Sequence, residues 1–300
     1  MTAVLGIDLG GTRLRAACAP VDGVLEIEPL GEVAAPSSVA DLARRVGAHA
    51  AAVRERHGGV ARVGVTIPGL ADGTRARWVP NLPFLDGVDL SAALADAGAE
   101  IVVGNDAQLA LLAEATLGAA AGARDAILLA VGTGIGSAVL AEGRIVRGAH
   151  GGACSFGWAC ADLADAGDPR SGWLERRASG RALDAAGAAM EPPVDGGGLI
   201  AAARRGDPAA RDVIAGAADA LGTALAGAVA LLDPELVLVA GGVADALDVL
   251  EDDLAATLRR RLPAHLREVP VRAGAFGARA GIAGALLAAR HGPTWWEVGR

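Results

Sequence analysis

Two short glycine-rich turns, each directly after an apolar segment, constrain the fold of this chain more than any other feature. The first is Gly10-Gly11-Thr12, which follows an apolar strand at 4–7 and Asp8. The second is Gly132-Thr133-Gly134, which follows an apolar strand at 127–131. Each turn leads into another apolar strand, so each half begins with a hairpin. The same order of hairpin and helices occurs twice and predicts a duplicated α/β fold with a cleft between two halves.

Asn105-Asp106 lies between a predicted strand at 101–103 and a predicted helix at 107–117. The end of a strand is where an open α/β sheet usually presents its ligand. Asp106 is also a suitable helix N-cap, with Asn105 supporting the turn, and that role is compatible with catalysis. Because phosphoryl transfer to a hydroxyl needs a nearby base, we expect Asp106 to serve as the general base.

A single Gly-Gly-Thr is common in ordinary hairpins, so the first turn alone favours a structural role. Two such turns, each after a buried strand, favour phosphate binding, because glycines let backbone N–H groups approach phosphate oxygens. Gly241-Gly242 follows a strand at 236–240 and is either a strand-to-helix turn or a close approach to adenine or ribose. Together these segments predict phosphoryl transfer from a nucleotide to a hydroxyl.

The charge of the chain argues against nucleic-acid partners. The net charge is -8, and all 27 basic residues are arginines. The absence of lysine excludes a Walker-type phosphate loop and Schiff-base chemistry. The most apolar run, at 217–232, is bracketed by Asp219 and Asp233 and predicts a core helix rather than a membrane span, which needs about 18–20 apolar residues.

The three cysteines are Cys18, Cys154 and Cys160, and with no signal peptide they indicate a reducing cytoplasm. Cys154 and Cys160 lie near His150 and Asp162, so a zinc site is conceivable. Their spacing matches no common zinc pattern, and structural thiols are favoured.

These motifs resemble the ROK family of bacterial sugar kinases and related repressors over nearly the whole chain. Arg13 stands where lysine is frequent in the first phosphate motif. The matching segments are Asp8 to Thr12, Ile67 to Gly69, Val79 to Pro83, Asn105 to Gly118, Val131 to Gly136 and Leu232 to Gly242.

The resemblance implies an actin-like, ribonuclease-H-like pair of domains that close over ATP, Mg²⁺ and a sugar. We expect a smaller domain from 1–104 plus about 279–300 and a larger one from 105–278. Asp106 is then the base, and Asp8 orients Mg²⁺ through water. The expected nucleotide residues are Asp8, Gly10, Gly11, Thr12, Arg13, Gly132, Thr133, Gly134, Gly241 and Gly242. The expected acceptor residues are Asn81, Gly69, Asn105, Ser155, Trp158 and Glu175.

The sugar-binding motif departs from the family pattern. Ser155 stands at the position of the usual glutamate, and Trp158 stands at that of the usual histidine, which is also a zinc ligand in the family. The cysteine-rich zinc run is replaced by 167–173, so we expect no zinc there. Glu175, just after that run, matches the family.

The altered motif implies an acceptor with altered ring substituents, such as the amino sugar kanosamine or a C7-cyclitol, as in actinomycete antibiotic biosynthesis. The alternatives are an ordinary glucokinase or hexose kinase and a non-catalytic sugar sensor. A ROK repressor is disfavoured, because it needs a DNA-binding domain before the first phosphate strand. The family further implies a cytoplasmic homodimer with no membrane partner.

Overall fold

The computed structural model describes residues 2–298, and of Asp245 only the backbone. The chain forms two compact units. The first contains residues 1–122, 143–153 and 279–300, and the second contains residues 123–142 and 154–278.

Groups of strands and groups of helices follow one another along the chain. The strands are β1 (Ala3–Leu9), β2 (Arg13–Pro20), β3 (Glu28–Ala34), β4 (Val60–Ile67), β5 (Leu70–Asp72), β6 (Arg75–Trp78), β7 (Glu100–Asn105), β8 (Ala126–Val131), β9 (Ile135–Ala141), β10 (Arg144–Ile145), β11 (Leu236–Ala240) and β12 (Val271–Ala273). The α-helices are α1 (Val39–His57), α2 (Leu90–Ala93), α3 (Asp106–Leu117), α4 (Trp173–Ala178), α5 (Gly180–Ala188), α6 (Gly196–Arg204), α7 (Pro208–Leu232), α8 (Leu247–Arg261) and α9 (Ala280–His291).

The sheet of the first unit has the order β3-β2-β1-β4-β7. β1 pairs antiparallel with β2 and parallel with β4. Successive side chains of a strand point to opposite faces. Leu5 and Ile7 therefore join the core that includes α1, whereas Val4 joins the core that includes α9. Both faces of β1 are covered, which explains its continuous apolar sequence.

Helix α9 approaches the sheet and helix α3 closely through glycines. A Cβ added to Gly6 of β1 would lie 2.8 Å from Cγ of Leu286, and one added to Gly64 of β4 would collide with the carbonyl oxygen of Ala285. A Cβ added to Gly284 would collide with the carbonyl oxygen of Leu109 in α3. The helix that begins at Asp106 is therefore packed on α9.

This packing places α3 in the first unit, which extends to Gly122. The boundary predicted from the sequence, at 104/105, assigns the same helix to the larger domain. The contact between Gly284 and Leu109 is a long-range contact that strand and helix patterns do not reveal.

The sheet of the second unit contains β9, β8, β11 and β12 in that order. β8 pairs antiparallel with β9 and parallel with β11, so the hairpin-plus-parallel-strand arrangement of the first unit occurs again. The two-domain α/β fold and its duplicated pattern are confirmed.

Helix α7 is long and apolar enough to cross a membrane, and half of its apolar window is buried inside the protein. Its buried face includes Leu221, Leu225 and Val229. This burial is typical of a core helix of a folded domain, as the sequence predicts.

Candidate active site

Asp8 lies at the end of β1, on the face that α9 covers. Its Oδ1 accepts a hydrogen bond from Oγ1 of buried Thr66 at 2.8 Å, and its Oδ2 lies 3.4 Å from the Arg15 guanidinium. A Cβ at Gly281 would lie 2.7 Å from Oδ1, so only a glycine leaves room for the carboxylate there. These contacts fix the carboxylate where the first turn begins.

The turn at 10–12 is closed by the N–H of Gly10, which donates to the carbonyl oxygen of Arg13 at 2.8 Å. A Cβ at Gly11 would lie 2.9 Å from Cβ of Asn81, so Asn81 is held against the turn. The guanidinium of Arg13 is paired with Glu32 of the neighbouring strand. Arg13 therefore lies beside the turn with its charge directed toward Glu32.

Asn105, and not Asp106, is the N-cap of helix α3. Its side-chain oxygen accepts hydrogen bonds from the N–H groups of Ala107 at 3.0 Å and Gln108 at 3.3 Å. Its Nδ2 donates to the carbonyl oxygen of Gly69 at 2.9 Å, which brings two of the predicted acceptor residues together. Since Asn105 caps the helix, Asp106 is the first helical residue.

Asp106 combines solvent exposure with close protein surroundings. Burial of its carboxyl group among protein atoms raises its pKa to about 6; the negative charge of Asp8 adds to the rise, and the N–H of Ala107 opposes it. The residue nevertheless keeps an exposed surface. An accessible carboxylate that holds a proton more tightly than usual is suited to act as a general base near neutral pH.

The second turn, at 132–134, is joined to the start of helix α5. Gly132 donates from its N–H to the carbonyl oxygen of Gly134 at 2.9 Å and accepts from the N–H of Gly180 at 2.7 Å. A helix N-terminus has unpaired N–H groups and a partial positive charge. At α5 the N–H groups of Gly180 and Ala182 are already bonded, to the carbonyl oxygen of Gly132 and to Oγ of Ser179. The exposed Thr133 therefore lies beside the positive end of a capped helix.

Arg181 lies beside the second turn and is not predicted from the sequence. Its Nε donates to the carbonyl oxygen of Thr133 at 3.1 Å. An arginine in the first turn of a helix is electrostatically unfavourable without an anion nearby. A positive charge at this unfavourable position, directly after Ser179-Gly180, is the sequence feature that indicates a nearby anion.

Gly241 also lies beside the second turn. Its φ is 83°, and a Cβ there would lie 2.6 Å from the carbonyl oxygen of Val131, the last residue of β8. Only glycine fits this combination of left-handed backbone and close approach. The structure thus brings the second turn and the predicted nucleotide loop together within the second unit.

The altered sugar motif lies on a loop that is fixed to β9. The hydroxyl of Ser137 donates to the carbonyl oxygen of Cys154 and accepts from the N–H of Phe156 at 3.1 Å. Ser155 and Trp158 follow on this loop, and both are exposed.

Glu175 reaches the same loop from helix α4. Its Oε1 accepts a hydrogen bond from the N–H of Ile135 at 3.0 Å, and its Cγ would lie 2.7 Å from a Cβ at Gly157. The indole N–H of Trp173 is buried with no hydrogen-bond partner among residues 2–298. The predicted residues Ser155, Trp158 and Glu175 therefore belong to one cluster of the second unit.

Within the described residues, the side chains near enough to share a metal ion are Cys18, Glu28 and His57, and none of them is a predicted site residue. Cys154, Cys160, His150 and Asp162 do not form such a group in that part of the chain. The prediction of no zinc at 167–173 stays a prediction.

The chain is similar to known proteins along most of its length. The model of the ROK family matches residues 4–291. The bifunctional enzyme NanE/NanK of Brucella melitensis biotype 1 is 33% identical over 291 residues, which are 94% of this chain and 52% of that protein. The chain thus spans about half the length of that relative. Kanosamine kinase of Amycolatopsis mediterranei is 32% identical over 293 residues, 95% of each chain.

Among solved structures, the chain resembles a ROK family glucokinase from Streptomyces griseus in complex with glucose and AMPPNP. The TM-score is 0.79 at 29% identity, and the match covers 97% of this chain and 100% of the other. The family match over residues 4–291, together with this likeness in fold, agrees with the motifs quoted above. The chain belongs to the ROK family.

Proposed function

We propose that this protein is an ATP-dependent kinase that phosphorylates a primary hydroxyl of a modified hexose or a cyclitol, with Asp106 as the general base. The acceptor class includes amino sugars such as kanosamine and C7-cyclitols. The observation that carries the proposal is Asp106 itself, an exposed carboxylate at a strand-to-helix junction with a pKa raised to about 6.

In this proposal Asp106 orients the acceptor hydroxyl and takes its proton as the new oxygen–phosphorus bond forms and the bond from the γ-phosphorus to ADP breaks. Such a base supplies roughly 10²–10⁴-fold in rate. Asn105 is fixed by its own hydrogen bonds to Gly69 and α3, so it presents a rigid polar neighbour to the acceptor.

The phosphates of ATP are assigned to the two glycine turns, to Thr12 and Thr133, and to Arg181. Support comes from the start of helix α5 beside Thr133 and from the positive charge of Arg181 there. The Gly241-Gly242 loop takes the nucleoside.

Asp8 fits a role in holding Mg²⁺. Its carboxylate is a hard oxygen donor, the ligand type that Mg²⁺ prefers. It is partly exposed and is oriented by Thr66. A Mg²⁺ ion held there would neutralise negative charge on the phosphates.

The acceptor preference rests on Ser155 and Trp158. Replacing a carboxylate and an imidazole by these side chains removes charged hydrogen-bond partners, each worth about 1.5–3 kcal/mol. Trp158 instead adds an amphipathic ring surface. The similarity to kanosamine kinase over 95% of the chain supports an amino sugar.

The test is an acceptor screen by coupled ADP release with glucose, N-acetylmannosamine, kanosamine and C7-cyclitols. We expect the highest kcat/KM for an amino sugar or cyclitol. Efficient use of glucose with the others inert contradicts the acceptor proposal and leaves the second candidate, a glucokinase, which the likeness to the Streptomyces griseus enzyme favours. If no acceptor stimulates ADP release although ATP binds, the protein is a sugar sensor and the enzyme proposal fails.

We also propose a cytoplasmic homodimer that acts in antibiotic biosynthesis, on the strength of family membership and the kanosamine kinase relative. Light scattering of the purified protein tests the dimer, because a mass of one chain in solution contradicts it.

A further inference from the structure

Three chemically different metal-binding side chains meet on the first unit. Cys18 comes from β2, Glu28 from the first position of β3, and His57 from the last position of α1. Cys18 Sγ lies 3.6 Å from Oε2 of Glu28 and 3.7 Å from Nε2 of His57, and these oxygen and nitrogen atoms are 3.1 Å apart. We call these residues the Cys18 cluster.

These separations match the edges of a tetrahedral zinc site. With Zn–S near 2.3 Å and Zn–N or Zn–O near 2.1 Å, tetrahedral angles give roughly 3.6 Å for each edge from sulfur and roughly 3.4 Å between nitrogen and oxygen. The observed edges of 3.6, 3.7 and 3.1 Å differ from these values by a few tenths of an ångström. One ion therefore contacts all three atoms with only small side-chain adjustments.

The surroundings of the cluster also suit a cation. Cys18 is 1% exposed and lies on the inner side of the cluster. Glu28 and His57 are partly exposed, so the outer side of the cluster is open to solvent. Arg56 pairs with Oε1 of Glu28 and brings one positive charge next to the cluster, which the remaining ligands must offset, and Oε2 stays directed at Cys18 and His57. His57 ends α1, and the C-terminus of a helix favours positive charge.

A hydrogen-bonded thiol is the alternative reading of the same contacts. Burial and the charge of Glu28 raise the pKa of Cys18 to about 11, so the thiol is protonated in the metal-free protein. When a metal ion binds, the Cys18 thiol releases its proton to solvent, and a thiolate–metal bond replaces the S–H bond.

We propose that Cys18, Glu28 and His57 bind one Zn²⁺ ion, with water in the fourth position, at a site separate from the residues assigned to phosphoryl transfer. The ion links β2, β3 and α1 and so stabilises the first unit. This site involves none of the residues at 167–173, where the zinc run of the family is replaced. It also does not depend on the proposed kinase activity.

The test uses the full chain, freed of metal with a chelator, and Co²⁺ as a spectroscopic probe for Zn²⁺. We expect one equivalent of Co²⁺ to give the charge-transfer band of a cobalt–thiolate bond, and Zn²⁺ to displace it. Cys18→Ala is expected to remove the band. Cys160→Ser, which removes an exposed thiol outside the cluster, is the matched control and is expected to keep it.

Two surface variants keep the proposal testable if Cys18→Ala folds poorly. Glu28→Gln and His57→Gln each remove one ligand and are expected to weaken Zn²⁺ binding at least about tenfold, since even indirect partners of metal ligands change affinity 10–100-fold. Zn²⁺ is expected to raise the Tm of the parent protein more than that of either variant, because it binds the folded state.

Several outcomes overturn the site. A cobalt–thiolate band that persists in Cys18→Ala and disappears in Cys160→Ser assigns the metal to the exposed thiol. Zn²⁺ affinity unchanged in both Glu28→Gln and His57→Gln excludes the cluster as the ligand set. No band and no Tm shift in the parent protein leave only the hydrogen-bonded thiol.

Discussion

The carboxylate of Glu175 accepts a hydrogen bond from the N–H of Ile135 at 3.0 Å and so ties helix α4 to the first residue of β9. Ile135 directly follows the second glycine turn. Glu175 therefore supports the proposed phosphate turn with one oxygen, in addition to the acceptor contact that the family resemblance assigns to it.

Two substitutions at this position separate the two roles. Glu175→Gln keeps an acceptor oxygen for Ile135 but removes the charge, so we expect a higher KM for the acceptor with a nearly unchanged KM for ATP. Glu175→Ala also removes support of the turn and is expected to raise both constants. Steady-state kinetics measure this split. A raised KM for ATP in Glu175→Ala, with both KM values unchanged in Glu175→Gln, would limit Glu175 to supporting the turn.

Asp106→Asn is expected to lower kcat by roughly 10²–10⁴-fold, because the proton acceptor is lost while the side chain keeps its size. ATP affinity, measured by calorimetry, should change little. Asp96→Asn, an exposed aspartate in a short helical turn of the same unit, is the matched control. A decrease in kcat of less than tenfold would remove Asp106 as the base.

The raised pKa of Asp106 also predicts the pH dependence of activity. The base must be ionised, so kcat/KM should fall as the pH decreases through about 6, by about tenfold per pH unit below that value. The residual activity of Asp106→Asn should lack this acidic limb. A wild-type profile that stays flat down to about pH 5, well below that pKa, would contradict the assignment.

The same raised pKa of Asp106 predicts that its ionised form, which is needed for catalysis, lowers the stability of the folded protein. The folded state holds the Asp106 proton more tightly than the unfolded chain, so the ionised carboxylate destabilises the fold above about pH 6. That destabilisation is lost as the pH falls below about 4, the unfolded value. Asp106→Asn should therefore have the higher Tm at neutral pH, and the difference should vanish in acid.

Arg181→Ala is expected to raise KM for ATP about tenfold or more, since a charge-assisted hydrogen bond to phosphate contributes about 1.5–3 kcal/mol. Without nucleotide, the variant should melt at the same temperature or higher, because the arginine opposes the positive end of α5. Arg170→Ala, whose side chain is 89% exposed, is the control. An unchanged KM for ATP would show that Arg181 bonds to Thr133 but does not bind the phosphates.

Gly284→Ala tests the contact between α9 and α3. The added methyl collides with the backbone of Leu109, so we expect a loss of about 1–3 kcal/mol in the free energy of unfolding, as for other overpacked sites, and a lower kcat. Gly216 lies in α7 with open space around it, so Gly216→Ala should stabilise the folded protein by about 0.5–1 kcal/mol. Denaturant unfolding measures both, and equal changes would show that the close contact is unimportant.

Local patterns predicted most of the fold. The two hairpins, the helix that begins near Asp106 and the long core helix follow from apolar periodicity and glycine turns. The unit boundary did not, because it depends on glycines 64 and 284 meeting backbone carbonyls distant in sequence. The N-cap was assigned to Asp106 because both residues are good caps, and only the geometry shows that Asn105 accepts the two bonds.

The candidate site, like the fold, was predicted from the sequence only in part. Asp8, Asp106 and the glycine turns were identified from their place at strand ends. Arg181 was not predicted, because its place beside the second turn depends on a contact with Thr133, which is distant in sequence. The Cys18 cluster was missed for a similar reason: its members come from two strands and a helix end, with no sequence spacing that marks metal ligands.

The packing of α3 on α9 has a consequence for how the protein is made. Domains generally fold as units during synthesis, at about 5–20 residues per second. The helix that carries Asp106 leaves the ribosome early, but its partner, Ala280–His291, is translated only after the whole second unit. A nascent chain therefore carries Asp106 without the final packing partner of its helix until translation is nearly finished.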